Sequence, residues 1–205
     1  MRVFSLLFSV LLFAQQPDKP ADSTTQNLVK LENVTISAIR ADINTPISFN
    51  NVEKKQIEIE NIGKDLPMVL KNLPSVVTTS DAGAGVGYTG IRIRGSDASR
   101  VNITINGFPF NDAESHGTYW VNLPDFVSSV EEIQVQRGVG TSTNGSGAFG
   151  ASININTENP SKNPFSSLSS SFGTFATFKN TLKFSTGISD SGFGFSGRLS
   201  YISSD

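Results

Sequence analysis

The chain contains 205 residues, carries a formal net charge of −2, and has one histidine and no cysteine. The absence of cysteine excludes disulfides, thiolate metal sites and thiol nucleophiles, and the small net charge gives no basic footprint for nucleic acid. No nucleophile–base arrangement can be built around a single histidine, so we expect neither an enzyme nor a bound cofactor.

The N-terminus predicts export. Arg2 precedes an apolar run, Val3–Phe13, which ends at the small residue Ala14 before a polar segment. This is the layout of a secretory signal peptide, which we place at residues 1–14. The run is too short to cross a bilayer as a helix, so the exported protein is expected either to be soluble beyond the inner membrane or to insert as a β-barrel.

Residues 15–40 are predicted to form a linker. Gln15–Asn27 is polar and contains proline, whereas Leu28–Ala38 is a short β-prone segment centred on Val34, Thr35 and Ile36. No hairpin partner lies nearby in the sequence. The segment is therefore either an ordinary first strand or an edge-seeking strand that pairs with a partner protein.

Short strands and helices alternate through the next hundred residues. The pattern predicts strands at Pro46–Asn50, Val76–Thr79, Ile91–Gly95, Val101–Ile105 and Phe108–Phe110, and helices at Val52–Glu60, Asp65–Leu73 and Leu123–Ser129. Asp65 is placed to cap the second helix. Asn106–Gly107 is the dipeptide that favours a type I′ hairpin turn.

The stretch from Val130 to Thr157 is the most informative in the chain. Val130–Arg137 and Ala151–Thr157 alternate side-chain types with period two, as half-buried strands do. The loop between them is rich in glycine and has almost nothing that could fill a core. We therefore expect the backbone of this loop to pack tightly against another part of the molecule.

The composition of residues 161–205 is rich in serine, glycine and phenylalanine. Apolar side chains share one face of two extended segments (Phe178, Leu182 and Phe184; Phe193, Phe195, Leu199 and Tyr201), and polar or small ones share the other (Lys179, Thr181, Lys183 and Ser185; Gly194, Ser196, Arg198 and Ser200). Transmembrane β-strands show this alternation, with apolar side chains outward. The strands of a soluble sandwich show it too, so both interpretations stand at this point.

Four motifs resemble, in order, the plug domain of TonB-dependent outer-membrane receptors. They are the β-prone segment Val34–Ser37, the helix Asp65–Val76 that ends in a Leu-x-x-Pro-Gly-Val pattern, the pair Ile91–Gly95 and Val101–Pro109, and the closing signature Val130–Thr157. The departures from the family pattern are Ser75 for a glycine, Val139 for a proline, Asn144 for a tyrosine and Ser152 for a glycine. The Arg137–Gly138 pair and the terminal Ile-Asn-Ile-x-Thr are intact.

The resemblance implies an α+β fold. Residues 41–158 would form a mixed-sheet plug with short helices, and residues 161–205 would supply the first two or three strands of an antiparallel transmembrane β-barrel. The family's barrel has about 22 strands, which need several hundred residues. The chain is therefore expected to be an N-terminal fragment with an incomplete barrel, located in the outer membrane of a Gram-negative bacterium.

The resemblance also implies roles for particular residues. Val34, Thr35, Ile36 and Ser37 would be the TonB box, which pairs with TonB. Arg94 and Arg137 would latch the plug to barrel glutamates. The loops with Tyr88, Asp112, Glu114, His116, Tyr119 and Trp120 would face outward and contact a small nutrient ligand, with an iron chelate as the commonest expectation.

Two alternatives remain open on the sequence. Asp112, Glu114 and His116 have a spacing that suits metal ligation on an extended segment, but we expect an ordinary polar loop and no metal. A secreted β-rich binding or adhesion module without transport is the alternative to the receptor. About 20 further alternating strands downstream of Asp205 would decide for the receptor.

Overall fold

The computed structural model describes residues 40–140, 144 and 147–205. The predicted signal peptide and the TonB-box residues Val34–Ser37 lie outside these residues. Within the described ranges, no helix combines the length and apolar character that a membrane crossing needs.

Short elements follow one another along the described residues. The strands are β1 (Ser48–Glu53), β2 (Val76–Ser80), β3 (Thr89–Ile93), β4 (Val101–Ile105), β5 (Phe108–Pro109), β6 (Val130–Arg137), β7 (Ala151–Thr157), β8 (Pro164–Phe172), β9 (Phe178–Ile188) and β10 (Gly194–Ser203). The α-helices are α1 (Lys54–Glu60) and α2 (Leu66–Val69), with 3₁₀ turns at Ala98–Arg100, Trp120–Asn122 and Phe126–Ser129.

A five-stranded mixed sheet in the order β1-β6-β7-β4-β5 organises the plug. β4 and β7 run parallel, and the other neighbours are antiparallel. β2 and β3 form a separate antiparallel pair. The mixed sheet with few helices confirms the α+β plug predicted from the sequence.

One face of the five-stranded sheet packs into the core. Alternate residues of the central strands point to this side and are almost fully buried, as are Ile57 of α1 and Leu66 and Val69 of α2. The core residues include Val52, Ile57, Leu66, Leu70, Ile93, Val101, Ile103, Ile133, Val135, Ile153 and Ile155. Their burial gives the plug its main apolar stabilisation.

The opposite face of the same sheet is polar and is also buried on β4, β6 and β7, which differs from the half-buried strands predicted, whereas its β1 member Asn51 is exposed. Asn51, Gln134, Asn154 and Thr104 lie opposite one another in register across four strands. Gln134 Nε2 donates to Asn51 Oδ1 (2.8 Å), and Thr104 Oγ1 donates to Asn154 Oδ1 (2.7 Å). These mutual hydrogen bonds make burial of a polar row tolerable.

The strand predictions in the closing signature are confirmed: β6 and β7 have the predicted bounds. Asn106 and Gly107 both have positive φ (51° and 86°), as a type I′ turn requires. The prediction for the second helix was too long. After Val69 the backbone continues in i→i+3 bonds, Leu70 to Pro67 and Leu73 to Leu70, which end the α-helix early.

Asp65 and Ser75, on either side of α2, show a side-chain contact and a backbone angle that the sequence alone does not predict. Asp65 precedes the helix but makes no side-chain cap; its Oδ2 accepts instead from Thr89 Oγ1 (2.9 Å). Burial raises the pKa of Asp65 above its usual value, against that hydrogen bond. Ser75, which stands for the family's glycine, has φ 62°, so it adopts the left-handed conformation that glycine favours.

The C-terminal strands form an antiparallel sheet in the order β10-β9-β8. Most of the predicted apolar face is exposed, namely Leu182, Phe193, Phe195, Leu199 and Tyr201. Phe178 and Phe184 are partly buried, with their rings against those of Phe172 and Phe195. The polar face of β9 is buried at Lys179, Thr181 and Ser185. The alternation predicted for this segment is confirmed: apolar side chains point outward and polar ones point toward the plug.

Candidate functional site

Three of the predicted ligand-contact residues meet at one cleft, which we call the aromatic cleft. Its volume is about 210 Å³, and Tyr88, Thr118, Tyr119, Trp120 and Asp81 are among the residues that line it. Tyr88 and Tyr119 are 69% and 52% exposed. Thr118 Oγ1 is buried and has no hydrogen-bond partner among the described residues. The cleft therefore offers aromatic faces, and the Thr118 hydroxyl lies beneath its surface.

Trp120 does not present its ring as the sequence analysis expected. It is 3% exposed and belongs to the apolar core, with the backbone in a 3₁₀ turn. A side chain of this size stabilises the plug by burying its apolar surface, so tertiary packing outweighed the position of Trp120 in a loop. Trp120 thus supports the wall of the aromatic cleft, and Tyr88 and Tyr119 provide the accessible rings.

Asp112, Glu114 and His116 do not line the aromatic cleft; they form a separate exposed loop. Asp112 Oδ1 accepts from Ser115 N (2.7 Å), Ser115 Oγ (2.8 Å) and Glu114 N (3.1 Å). These bonds, those from Ser115 first, lower the pKa of Asp112. The carboxylate thus shapes its own turn, and no cluster of His, Asp and Glu among the described residues has the arrangement of a metal site.

The guanidinium of Arg94, one of the two arginines predicted to form a latch, lies against the backbone of Gly138, next in the chain to the other, Arg137. A Cβ on Gly138 would sit 2.9 Å from Arg94 Nη1, and Gly138 directly follows Arg137. Arg137 donates to Pro74 O (3.2 Å) and to Ser48 Oγ (2.9 Å). Neither guanidinium forms an ion pair with any described residue. Their roles as latch residues remain predictions.

Replacing Arg94 and Arg137 together by Ala is expected to leave the stability of this chain nearly unchanged, within about 1 kcal/mol. Both side chains contact solvent, and exposed arginine hydrogen bonds contribute little. Equilibrium unfolding in urea would measure the difference. A loss of several kcal/mol would mean that the arginines are paired inside the plug, which would contradict a role toward a separate partner.

A buried ionic network, which we call the Asp125 cluster, joins the plug to the C-terminal strands. It consists of Asn61, Asp125 and Ser128 from the plug and Lys179, Arg198 and Ser200 from β9 and β10. Asp125 Oδ1 lies 2.5 Å from Lys179 Nζ, and Oδ2 lies 3.2 Å from Arg198 Nη1. The side chains of Asp125 and Lys179 are both 4% exposed.

The polar side chains of the Asp125 cluster form several hydrogen bonds with one another. Lys179 Nζ also donates to Asn61 Oδ1 and Ser128 Oγ, both at 2.8 Å, and Ser128 Oγ donates to Asp125 Oδ1 (2.6 Å). Ser200 Oγ donates to the other carboxylate oxygen. Burial raises the pKa of Asp125, but the hydrogen bonds from Lys179, Ser128 and Ser200 outweigh it and hold that pKa below its usual value.

A second ionic contact lies beside this cluster. Lys183 Nζ on β9 donates to both carboxylate oxygens of Glu158 (2.7 and 2.9 Å), and Lys54 Nζ lies 3.3 Å from the same carboxylate. Glu158 follows the last plug strand directly. The cations of β9 and β10 thus meet plug carboxylates, the reverse of the charge arrangement expected for the Arg94–Arg137 latch.

The sequence contains one signal for these contacts, the cationic side chains on the polar face of the C-terminal strands. Lys179, Lys183 and Arg198 were assigned to the polar face of strands that otherwise carry serine, threonine and glycine there. Charged side chains on a face that points inward need partners. Asp125 carried no signal, because a lone aspartate after Pro124 is typical of a turn.

Comparison with known protein families identifies a conserved domain in this chain. Residues 41–152 match the family described as the TonB-dependent receptor plug domain. Among curated proteins, the chain is 29% identical over 153 residues to the vitamin B12 transporter BtuB of Vibrio vulnificus, covering 75% of this chain and 23% of that protein. It is 25% identical over 169 residues to the probable TonB-dependent siderophore receptor PirA of Acinetobacter baumannii, covering 76% and 22%.

A solved structure shares the fold. The P. aeruginosa receptor FpvA, in a complex with a heterologous pyoverdine and iron, superposes with a TM-score of 0.63 at 17% identity, covering 78% of this chain and 21% of that chain. The present chain therefore spans about a quarter of the length of the relatives that it matches.

Proposed function

The chain belongs to the family of TonB-dependent receptor plug domains, and on that premise we propose that it forms the gating plug and first membrane strands of a ligand-uptake receptor. Its location is the outer membrane of a Gram-negative bacterium. The observation that carries the proposal is the docking of the plug, through the Asp125 cluster, on the polar face of strands whose other face is apolar. A plug held inside a membrane pore needs this arrangement.

We assign the energy input to the segment Val34–Ser37. An extended segment recognised by strand addition uses its backbone donors and acceptors for affinity, so a TonB protein would pair with it as an added strand. Pulling on this segment would then move or open the plug. We also propose that Arg94 and Arg137 hold the plug in place by contacting carboxylates of a surrounding barrel.

We assign ligand contact to the aromatic cleft. The exposed side chains of Tyr88 and Tyr119 would supply stacking through their rings and hydrogen bonding through their hydroxyl groups to a small nutrient. The names of the two curated relatives mention vitamin B12 and a siderophore. A scarce nutrient of one of these two kinds, an iron chelate or a cobalamin, is the cargo we propose.

Replacing Val34 by Pro in the complete receptor tests the proposal. Proline removes a backbone N–H and fixes φ, so it should abolish strand addition to TonB. We expect TonB-dependent uptake of the ligand by whole cells to fall to the level of a strain without TonB. Binding of the ligand to the cells should not change, because the aromatic cleft is untouched.

Thr24→Pro is the matched control, since it places the same residue in the polar linker outside the proposed box. This variant should take up ligand at the unmodified rate. Normal uptake by the Val34→Pro receptor would overturn the assignment of the box.

A further inference from the structure

A single side-chain amide holds the backbone of the chain where it enters the plug. Gln134 Oε1 accepts from Ala41 N (2.8 Å), and Gln134 Nε2 donates to Ala41 O (2.9 Å). Both backbone groups of Ala41 are thus bound by one amide, as they would be by a neighbouring strand. Gln134 is 1% exposed and Ala41 is 7% exposed. We call this contact the Ala41 clamp.

An ion pair reinforces the clamp on the same strand. Arg40 Nη2 lies 2.5 Å from Glu132 Oε1, and Glu132 stands two residues before Gln134 on β6, so both side chains leave the same face of the strand. The side-chain hydrogen bonds and the ion pair that hold Arg40 and Ala41 therefore all lead to β6, which lies between β1 and β7 in the sheet.

The clamp lies upstream of the first strand ladder. The pairing of β1 with β6 begins at Ser48, and residues 42–47 form a turn in which Asp42 accepts hydrogen bonds from Asn44 N and Thr45 Oγ1. Tension applied to the chain before Arg40 therefore reaches the clamp before it reaches β1. The clamp has two hydrogen bonds and one ion pair, whereas six residue pairs join β1 to β6, so the clamp is the weaker connection.

The amide of Gln134 keeps partners when Ala41 leaves. Gln136 Nε2 donates to Gln134 Oε1 (2.9 Å), and Gln134 Nε2 donates to Asn51 Oδ1 (2.8 Å). A buried amide without any partner would oppose opening strongly, but this one stays bonded on both of its polar atoms. Opening is therefore a local step that leaves the polar face of the sheet intact.

From these contacts we infer that Gln134 is a positioning residue that anchors the N-terminal segment, and that the Ala41 clamp is the first connection to yield when that segment is pulled. The inference rests on the proposed function for the origin of the pull, a TonB protein acting on Val34–Ser37. The clamp itself belongs to this chain and can be measured without TonB.

Single-molecule pulling between two introduced cysteines tests the inference, because the chain has none of its own. Asn27→Cys and the exposed Lys71→Cys place the handles on either side of the clamp. In the otherwise unmodified chain, we expect a first step that frees residues 41–47, about 25 Å of extended chain, before β1 leaves the sheet. Gln134→Leu should remove this step or shift it to a lower force, while the six residue pairs that join β1 to β6 still break in a separate, later step.

Gln56→Leu is the matched control, since it makes the same replacement at an exposed position of α1. It should keep the first step. If Gln134→Leu does not fold, Gln134→Met keeps the length and approximate volume of the side chain but loses both the acceptor for Ala41 N and the donor to Ala41 O. Its Ala41 amide should exchange with solvent about tenfold faster than in the unmodified chain, with β7 amides unchanged.

Equal first-step forces in the Gln134→Leu and unmodified chains would overturn the inference, as would unchanged exchange at Ala41 in Gln134→Met. Either result would leave the proposed function standing, because neither measurement involves TonB or a ligand. Conversely, normal uptake by the Val34→Pro receptor would remove the source of the pull and leave the clamp unaffected.

Discussion

Replacing Asp125 by Ala is expected to destabilise the docking of the C-terminal strands on the plug by about 3–5 kcal/mol. The change leaves Lys179, which is 4% exposed, buried without a counter-charge, and breaking a buried pair on one side has this effect. Arg198 also loses its carboxylate partner. Denaturant unfolding of the chain in detergent, with amide exchange in β9 as the local readout, would measure the loss.

Two variants separate the buried charge from other effects. Asp190→Ala removes an exposed carboxylate in the turn between β9 and β10 and should change stability by less than about 0.5 kcal/mol. Asp125→Ala combined with Lys179→Met removes the buried ion pair and should recover much of the loss, since the buried Lys179 cation is gone and Arg198, which is 23% exposed, keeps contact with solvent. If Asp125→Ala behaves like Asp190→Ala, the Asp125 cluster does not hold the strands.

The same cluster predicts a dependence on acid. The pKa of Asp125 in the folded chain lies below its usual value of 3.8, so the carboxylate contributes stability that is present above that value. This contribution should be lost as the pH falls through the lowered pKa, while Lys179 and Arg198 remain cationic. Protection of β9 amides between about pH 5 and about pH 1 would follow it. The Asp125→Ala chain should lack this component.

The elements that were predicted correctly are those that local chemistry specifies. β6 and β7 follow from period-two alternation, and the turn at Asn106–Gly107 follows from two residues that tolerate positive φ. Ser75 keeps the left-handed conformation without the glycine that the family motif carries there. A backbone conformation fixed by its neighbours thus survives a side chain that does not favour it.

Burial of polar residues was not predictable in the same way. Gln134 and Asn154 alternate with isoleucine and valine, and such a pattern reads as one buried and one solvated face. Their burial depends on partners far away in sequence: Ala41 lies 93 residues from Gln134, and Thr104 lies 50 residues from Asn154. Sequence periodicity contains no information on such pairings.

The candidate site was predicted only in part for a related reason. The loops that bring Tyr88 and Tyr119 together were identified through the family resemblance, and the structure places both at the aromatic cleft. Trp120 was predicted to contact ligand because it is aromatic, but its ring packs in the apolar core instead. The ionic contacts of the interface escaped prediction because Asp125 and Lys179 come from different layers of the fold.

The prediction that the loop after β6 packs tightly is confirmed at Gly150. A Cβ on Gly150 would overlap Cβ of Ser96 and lie 3.2 Å from the carbonyl oxygen of Arg100. Ser96 has little freedom to move, because its backbone N–H and C=O both bond to Ile93. Gly150 is itself fixed, since its N–H donates to Arg100 O (2.9 Å) and its carbonyl accepts from Gly138 N (2.8 Å).

Gly150→Ala is therefore expected to destabilise the plug by about 1–3 kcal/mol, the usual effect of forcing one extra carbon into a close-packed site. Gly147→Ala is the matched control in the same loop. A Cβ at Gly147 meets nothing within 4 Å, and φ there is outside the left-handed region, so stability should change by less than about 0.5 kcal/mol. Urea unfolding followed by the fluorescence of Trp120 would compare the two variants.

Adding Ser96→Gly to Gly150→Ala tests the contact itself. The double variant removes the side chain that the new methyl group overlaps, so it should be more stable than expected from the sum of the two single changes. Gly150 is needed for this approach because the backbone bonds to Arg100 and Gly138 hold it against Ser96. Equal stability of Gly150→Ala and Gly147→Ala would mean that Ser96 moves aside freely, and the close packing of the glycine loop would then have another cause.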